Sequence, residues 1–427
     1  MNRKFLTMAA FAAMCTFATT SCSNEDDPMG VGNGTESVEG VTAGEITLAL
    51  NGGGEGMNTR SIGRPVNSSA AANNVDEVQL KLFKKSGDTY TEVTNASFVD
   101  GNTKEADGKI SWTNGTTEEG TPGYEDEGRD TKKSIKLNNL EANTEYKLLA
   151  WGYKKDFEPY STGATWNGTD AWYTSTTVTN SPDNIQELFG GYVAFETDED
   201  GKITDLDLTV TLKRQVAGLL GYFKNIPIKK YNNAGVECTV TGIEVRANAT
   251  TTQLVFPVDN ENNSSRLNGA LQTEQSTVLL KYDLSSYAEQ VASAKIGDTY
   301  KIPAQSGEVA TVENSVLAGR FVIPYASHIT TSGTNTLTVA LTSEQGDVRT
   351  WKIKINKKNN EDFSGGDAYN YDILRNYFYS IGKKLKSDEA PTTDPDPDEP
   401  VDLSQDNDII LIVNDAWEVV YDLGLGD

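Results

Sequence analysis

The chain has little of what catalysis usually draws on. One histidine, His328, and three cysteines stand among its 427 residues. A nucleophile normally works beside a base, and the usual zinc sites need several His or Cys ligands, so both chemistries lack their common residues. Cys15 and Cys22 fall in an N-terminal targeting segment, which leaves Cys238 alone in the body and excludes an intrachain disulfide framework. Cys238 alternates with Val236 and Val240, the pattern of a small buried side chain rather than a reactive thiol. Positive charge is scarce as well. The 37 Lys and Arg set against 62 Asp and Glu give a net charge of −25, a poor surface for nucleic acid.

Phosphate-binding fingerprints are absent. Gly52-Gly53-Gly54 follows a strand-like run but precedes neither a helix nor a Lys-Ser/Thr pair. Glu125-Asp126-Glu127 and Asp198-Glu199-Asp200 lack the spacing of a calcium loop and read as solvated surface. No metal or cofactor is expected. The carboxylates are numerous enough to leave a glycosidase pair open.

Long hydrophobic runs are missing except at the start. Arg3 and Lys4 precede an apolar stretch, Phe5 to Ala18, too short to span a bilayer and suited to a signal peptide. Thr19-Thr20-Ser21-Cys22 resembles a lipobox, with Thr19 where leucine is usual, and Ser23-Asn24-Glu25-Asp26-Asp27 resembles a surface-export signal of lipoproteins. The expected precursor is lipidated on Cys22 and held at the outer membrane.

What the chain does have is short alternating runs. Ile46, Leu48 and Leu50 lie on one face of a strand, and Val78, Leu80 and Leu82 on another. Tyr146 to Tyr153 and Leu206 to Leu212 continue the pattern, with a helical turn expected at Ile185 to Phe189. At Leu212 to Phe223 the alternation changes phase and apolar density rises, which marks a domain junction. Further strands are expected around Ile243–Val245, Phe321–Ile323, Leu337–Leu341 and Trp351–Ile355. Ser343 to Asp347 forms the turn of a hairpin, and Asp372 to Leu385 is a closing strand. With no βαβ alternation, the expected fold is all-β, built from two β-sandwich domains.

The most distinctive run is the last. Ile409, Leu411, Val413, Trp417, Val419, Tyr421, Leu423 and Leu425 share one face, interrupted only by Asp415. At about 3.3 Å per residue this ribbon reaches roughly 55 Å, more than one sandwich needs. It hangs from an acidic, proline-rich tether, Asp388 to Asp402, expected not to pack and to remain extended. Asp415 stands where a segment serving one domain would join a segment serving the next. Near the other end, Arg60-Ser61 lies in a glycine-rich segment open to a protease, and Arg64 is shielded by Pro65. Trp112, Trp151, Trp166 and Trp172 are candidates either for core positions or for a sugar-stacking platform.

Taken in order, these features resemble the fimbrillins, the type V pilins of Bacteroidota. The resemblance rests on the lipobox at Cys22, the Ile46–Leu50 strand, Arg60, the Leu212-Lys213-Arg214-Gln215-Val216-Ala217 junction, Arg375-Asn376-Tyr377-Phe378-Tyr379, and the ribbon through Tyr421-Asp422-Leu423-Gly424. It implies two transthyretin-like β-sandwich domains with a C-terminal donor strand. It also implies that an arginine-specific protease removes the leader, with Ile46, Leu48 and Leu50, from the core it plugs. The donor strand of another copy would then fill the vacated groove. On this reading residues 1–21 are signal peptide and 22–60 a removable leader. Residues 61–213 and 214–387 are the two sandwiches, and 388–427 tether and donor strand. The expected partners are further copies in a head-to-tail polymer, tip and anchor pilins, and the protease. The presence of both groove and donor favours a major stalk subunit and no enzyme. A different class, a lipid-anchored surface glycan-binding protein with tandem β-domains, fits the same leader and would use the tryptophans.

Overall fold

The structure is a computed structural model that describes residues 42–51, 75–105, 107–112, 132–153, 173–174, 187–205, 207–247, 250–251, 254–255, 272–273, 277–305, 311–325, 337–355, 371–382, 398–405 and 408–414. These residues form two large sheets, each folded over its own core. The only helix among them is a short 3-10 turn, Ser285–Gln290.

The first sheet takes its strands from the N-terminal half. They are β1 (Thr42–Asn51), β2 (Glu77–Ser86), β3 (Thr89–Glu92), β4 (Ser97–Asp100), β5 (Thr103–Glu105), β6 (Lys109–Ser111), β7 (Lys132–Asn138) and β8 (Glu145–Tyr153). After the short β9 (Tyr173–Thr174) come β10 (Phe189–Glu196) and β11 (Thr209–Arg214). Their order is β3-β2-β8-β10-β11-β1-β7-β4-β5, with β6 on β2. The β10–β11 step rests on two residue pairs, Phe189 with Arg214 and Gly190 with Lys213, so the sheet turns a corner there. Gly191 makes the corner possible, because a Cβ on it would lie 2.1 Å from the Thr211 carbonyl oxygen. Leu80, Leu82 and Leu148 from one side meet Ile46, Leu48, Leu137, Val210 and Leu212 from the other, which closes a sandwich core.

The second sheet begins after a two-residue link. Its strands are β12 (Ala217–Lys224), β13 (Lys229–Tyr231), β14 (Glu237–Thr239), β15 (Gly242–Ala247), β16 (Thr250–Thr251), β17 (Leu254–Val255), β18 (Gln272–Thr273) and β19 (Thr277–Asp283). They continue with β20 (Ser315–Val322), β21 (Leu337–Ser343), β22 (Gly346–Ile355), β23 (Phe378–Ile381), β24 (Val401–Asp402) and β25 (Ile409–Asn414). The order is β19-β15-β21-β22-β25-β23-β12-β20, with β24 on β12, while β13–β14, β16–β18 and β9–β17 form small ribbons. The β21–β22 hairpin falls where the sequence places it. Strand β12 is buried along nearly its whole length, which is why the alternation fades after Leu212.

Three local expectations change. Glu187 and Leu188 are irregular and Phe189 opens β10, so the expected turn at Ile185 to Phe189 yields to strand at its end. Of the Asp372 to Leu385 run, whose residues 383–385 lie outside the described ones, the described strand is Phe378–Ile381; before it, Ile373 makes an isolated bridge to Tyr325 and Asn376 adopts a positive φ of 57°. The tether does not stay free to its end. Pro400 and Leu403 are buried, Val401 and Asp402 pair with Phe223 and Lys224, and Tyr222 donates a 3.0 Å hydrogen bond to Asp398. Its last apolar residues find a place beside β12, where Pro400 and Leu403 gain burial, so this end of the tether packs; residues 388–397 lie outside the described ones.

Candidate functional site

The candidate site is the place of β1 in the first sheet. This strand is the first among the described residues, yet it lies in the sheet interior. Against β7 it runs antiparallel from Thr42 opposite Asn138 to Ala49 opposite Lys132. Against β11 it runs parallel, from Thr47 opposite Thr209 to Asn51 opposite Lys213. Ile46 and Leu48 are fully buried, and Leu50 packs partly buried against the same core. A bulge between Thr42 and Gly44 resets the alternation, so Ala43 and Ile46 both turn inward. Ile203 closes over Gly44, where a Cβ would lie 2.8 Å from its Cδ1, and its N–H bonds the Ala43 carbonyl at 2.8 Å. The outward face carries Glu45, Thr47 and Ala49, and Ser134 donates to Glu45 at 3.2 Å.

Two consequences follow from strand physics. Without β1, both β7 and β11 would show an unpaired edge, and the core would lose the Ile46 and Leu48 side chains. Burial of each of those side chains contributes about 1.5–3 kcal/mol. Any segment with an apolar face of period two could restore both the ladders and the core, which is the requirement for β-augmentation.

The second sheet holds a matching arrangement. Strand β25 also lies between a parallel and an antiparallel neighbour. It pairs with β22 from Ile353 opposite Ile409 to Ile355 opposite Leu411, and with β23 from Phe378 opposite Asn414 to Ile381 opposite Leu411. Ile409 and Leu411 are buried at 2% and 0% exposure, and Ile410, on the other face, is 49% exposed. The first stretch of the C-terminal ribbon therefore has a partner within its own chain, which the sequence alone did not offer. Val413 pairs with Tyr379 in the same strand. The described part ends at Asn414, just before Asp415; Trp417, Val419, Tyr421, Leu423 and Leu425 lie outside the described residues, as do Cys22, Arg60 and Ser61.

Between the sheets lies a buried polar joint whose role sequence reading missed. Arg214 and Arg375 are both fully buried. Arg214 Nε donates to Glu187 Oε1 at 2.7 Å, and its Nη1 donates to Asn376 Oδ1 at 2.8 Å. Arg375 Nη1 donates to Gln215 Oε1 at 2.6 Å, while Gln215 Nε2 donates to the Lys213 carbonyl at 2.8 Å. The Asn376 N–H reaches the Val216 carbonyl at 3.0 Å. Phe83, Leu149, Trp151 and Leu188 of the first unit pack with Val216 and Ile323 of the second around this joint. Both joined segments were visible as motifs; only their spatial pairing was not.

The residues considered for other chemistry occupy plainer places. Trp112 and Trp151 are core residues, 4% and 6% exposed, so neither offers an open ring for a sugar; Trp166 and Trp172 lie outside the described residues. Cys238 is a buried free thiol, as its alternation indicates, whereas Val236 beside it is 53% exposed. His328 lies outside the described residues. Among the described residues no cluster of His, Cys, Asp and Glu is arranged to hold a metal, and no helix is long and apolar enough to cross a membrane.

No protein-family profile matches the chain, and no curated protein matches it in sequence. Solved structures similar to it include a fimbrilin from Porphyromonas gingivalis, at 12% identity and a TM-score of 0.36, over 87% of this chain and 97% of that one. The fimbrial anchor protein Mfa2 from the same organism is similar at 11% identity and a TM-score of 0.33, over 87% and 96%. The tip fimbrial protein Mfa3, also from Porphyromonas gingivalis, is similar at 12% identity and a TM-score of 0.34, over 86% and 99%. Other solved structures similar to it are described as a putative adhesin and as putative polysaccharide binding proteins, both from Bacteroides thetaiotaomicron, at 10% and 11% identity and TM-scores of 0.37 and 0.32, over 81% and 79% of this chain and 92% and 91% of those.

Proposed function

We propose that the chain is a structural subunit of a surface fimbria, exported as a lipoprotein on Cys22, cut after Arg60, and polymerised by strand exchange. The single observation that carries this reading is the position of β1. A strand from the N-terminal flank fills an interior place in the first sheet, buries Ile46 and Leu48, and connects onward through the segment that contains Arg60. Cleavage there would make β1 a separate, displaceable piece. The segment Trp417 to Leu425 carries the same period-two apolar face, and it follows β25, which is already seated in its own sheet. In this scheme Ile409 to Asn414 is the root of the donor, Asp415 marks the exit, and Trp417 to Leu425 fills the β1 place of the next copy. A contact of this head-to-tail kind does not close and yields an open filament. Groove and donor on one chain fit a stalk subunit that meets tip and anchor pilins at the filament ends and serves adhesion at the cell surface.

The test is a pair of altered chains. Arg60→Ala, treated with an arginine-specific protease, should keep its leader on N-terminal sequencing and form no ladder of SDS-resistant oligomers. A chain ending at Asn414 should stay folded and be cut, yet fail to extend a polymer. Normal filaments from the shortened chain would overturn the donor role of Trp417 to Leu425.

A further inference from the structure

We propose that the buried joint of Glu187, Arg214, Gln215, Arg375 and Asn376 holds β11 in place when the β1 place is empty, which makes Arg214 and Asn376 positioning residues for strand acceptance. The proposal rests on the reading that β1 can leave.

The geometry points to this role because of how β11 is held. Among the described residues β11 has ladder partners only in β1 and β10. Strand β1 pairs with it from Thr209 to Lys213, nearly its full length. Strand β10 pairs with it only at Lys213 and Arg214. Once β1 goes, the ladder that remains is these two pairs, and both lie at the joint. The chain then continues without slack: Gln215 N–H bonds the Leu188 carbonyl at 2.8 Å, and β12 starts at Ala217. Core packing of Val210 and Leu212 opposes a slip of one residue, which would turn them outward, but a slip of two keeps the same face inward, so packing alone leaves a strand with an open edge loosely held. The joint fixes it, by gripping the last residue of β11 through both ends of its guanidinium. One end is held by Glu187, just ahead of β10; the other by Asn376, just ahead of β23 in the second sheet. The acceptor edge is thus tied to the second sandwich, whose fold does not depend on β1. A prepositioned edge spares an incoming strand the cost of ordering β11, the usual gain from preorganisation.

The experiment uses the full chain with an engineered protease site between Asn51 and Val75. After cutting, uptake of a labelled synthetic peptide, Thr42–Asn51, measures strand acceptance directly. Asn376→Gly removes the acceptor of Arg214 Nη1, with Glu187 still on Nε, and tolerates the positive φ at this position. Before cutting, its melting temperature should stay within a few degrees of the unaltered chain, since β1 still clamps β11. After cutting, its peptide affinity should fall about tenfold or more, and Asn376→Asp, which restores an oxygen acceptor, should recover it. Equal uptake by Asn376→Gly and the unaltered chain would overturn the proposal. If the unaltered cut chain takes up no peptide, the strand-exchange reading fails first and the proposal falls with it. Should Asn376→Gly not fold, amide exchange on the unaltered cut chain decides. Protection kept at Lys213 to Val216 while Thr209 to Thr211 exchange freely supports the joint as anchor; loss of protection throughout refutes it.

Discussion

At the scale of single residues, the side chains that matter most are those whose burial needs a particular partner. Leu48 fills the first core from a strand held on both edges. Leu48→Ala should cost about 2–5 kcal/mol, the range for a truncated buried leucine, read as a lowered midpoint in denaturant. Asp402 makes a different kind of contact. It accepts from Asn225 Nδ2 at 2.7 Å and from the Ser404 N–H and hydroxyl at 2.9 and 2.6 Å. Burial alone would raise its pKa, but the hydrogen bonds from Ser404 and Asn225 outweigh burial and hold the carboxyl below its usual range. A carboxylate depressed in the folded state stabilises above its unfolded pKa and loses that contribution as pH falls through the lower folded value. Asp402→Asn should therefore weaken amide protection at Val401 to Leu403 at neutral pH, and the difference from the unaltered chain should shrink as pH falls through the lowered folded value.

At the scale of elements, β1 and β25 solve one problem in two ways. Each is an interior strand with one parallel and one antiparallel neighbour, and each comes from a chain flank. The alternation of Ile46, Leu48 and Leu50 was enough to predict a half-buried strand. It could not say that the strand would lie inside the sheet, because pairing partners are far apart in sequence: β7 lies some 90 residues on and β11 some 160. The ribbon misled in the opposite direction. Its period suggested a donor for another copy, broken only at Asp415, and gave no sign that Ile409 and Leu411 complete the second core of their own chain, where the gap between β22 and β23 takes a strand. Truncation should show the division. A chain ending at Asn414 should be monomeric and melt like the full chain, whereas one ending at Asp398 loses β24 and β25, exposes two edges, and should aggregate on size-exclusion chromatography.

At the scale of the whole molecule, the buried joint makes the two sandwiches one body. Arg214 and Arg375 are fully buried, and opening the joint would strand charges in an apolar seam. The two units should therefore unfold together. Fluorescence from Trp112 and Trp151 in the first unit and Trp351 in the second should report coincident transitions in denaturant. Arg214→Met should separate them, with the first unit melting earlier. On the proposed fimbrial reading, two halves locked at this joint suit a filament that must transmit tension along its length.

The sequence by itself determined the all-β class, most strand positions, the poverty of catalytic and metal-binding residues, and the buried state of Cys238. These depend on composition and on a period of two, both of which are local. The tertiary structure decided the rest: that β1 is interior, that the tether is pinned at its end, that Ile409 and Leu411 seat in their own chain's second sheet, and that two arginine motifs interlock. Each of these depends on which distant edges meet, and a chain's local pattern carries no information about that.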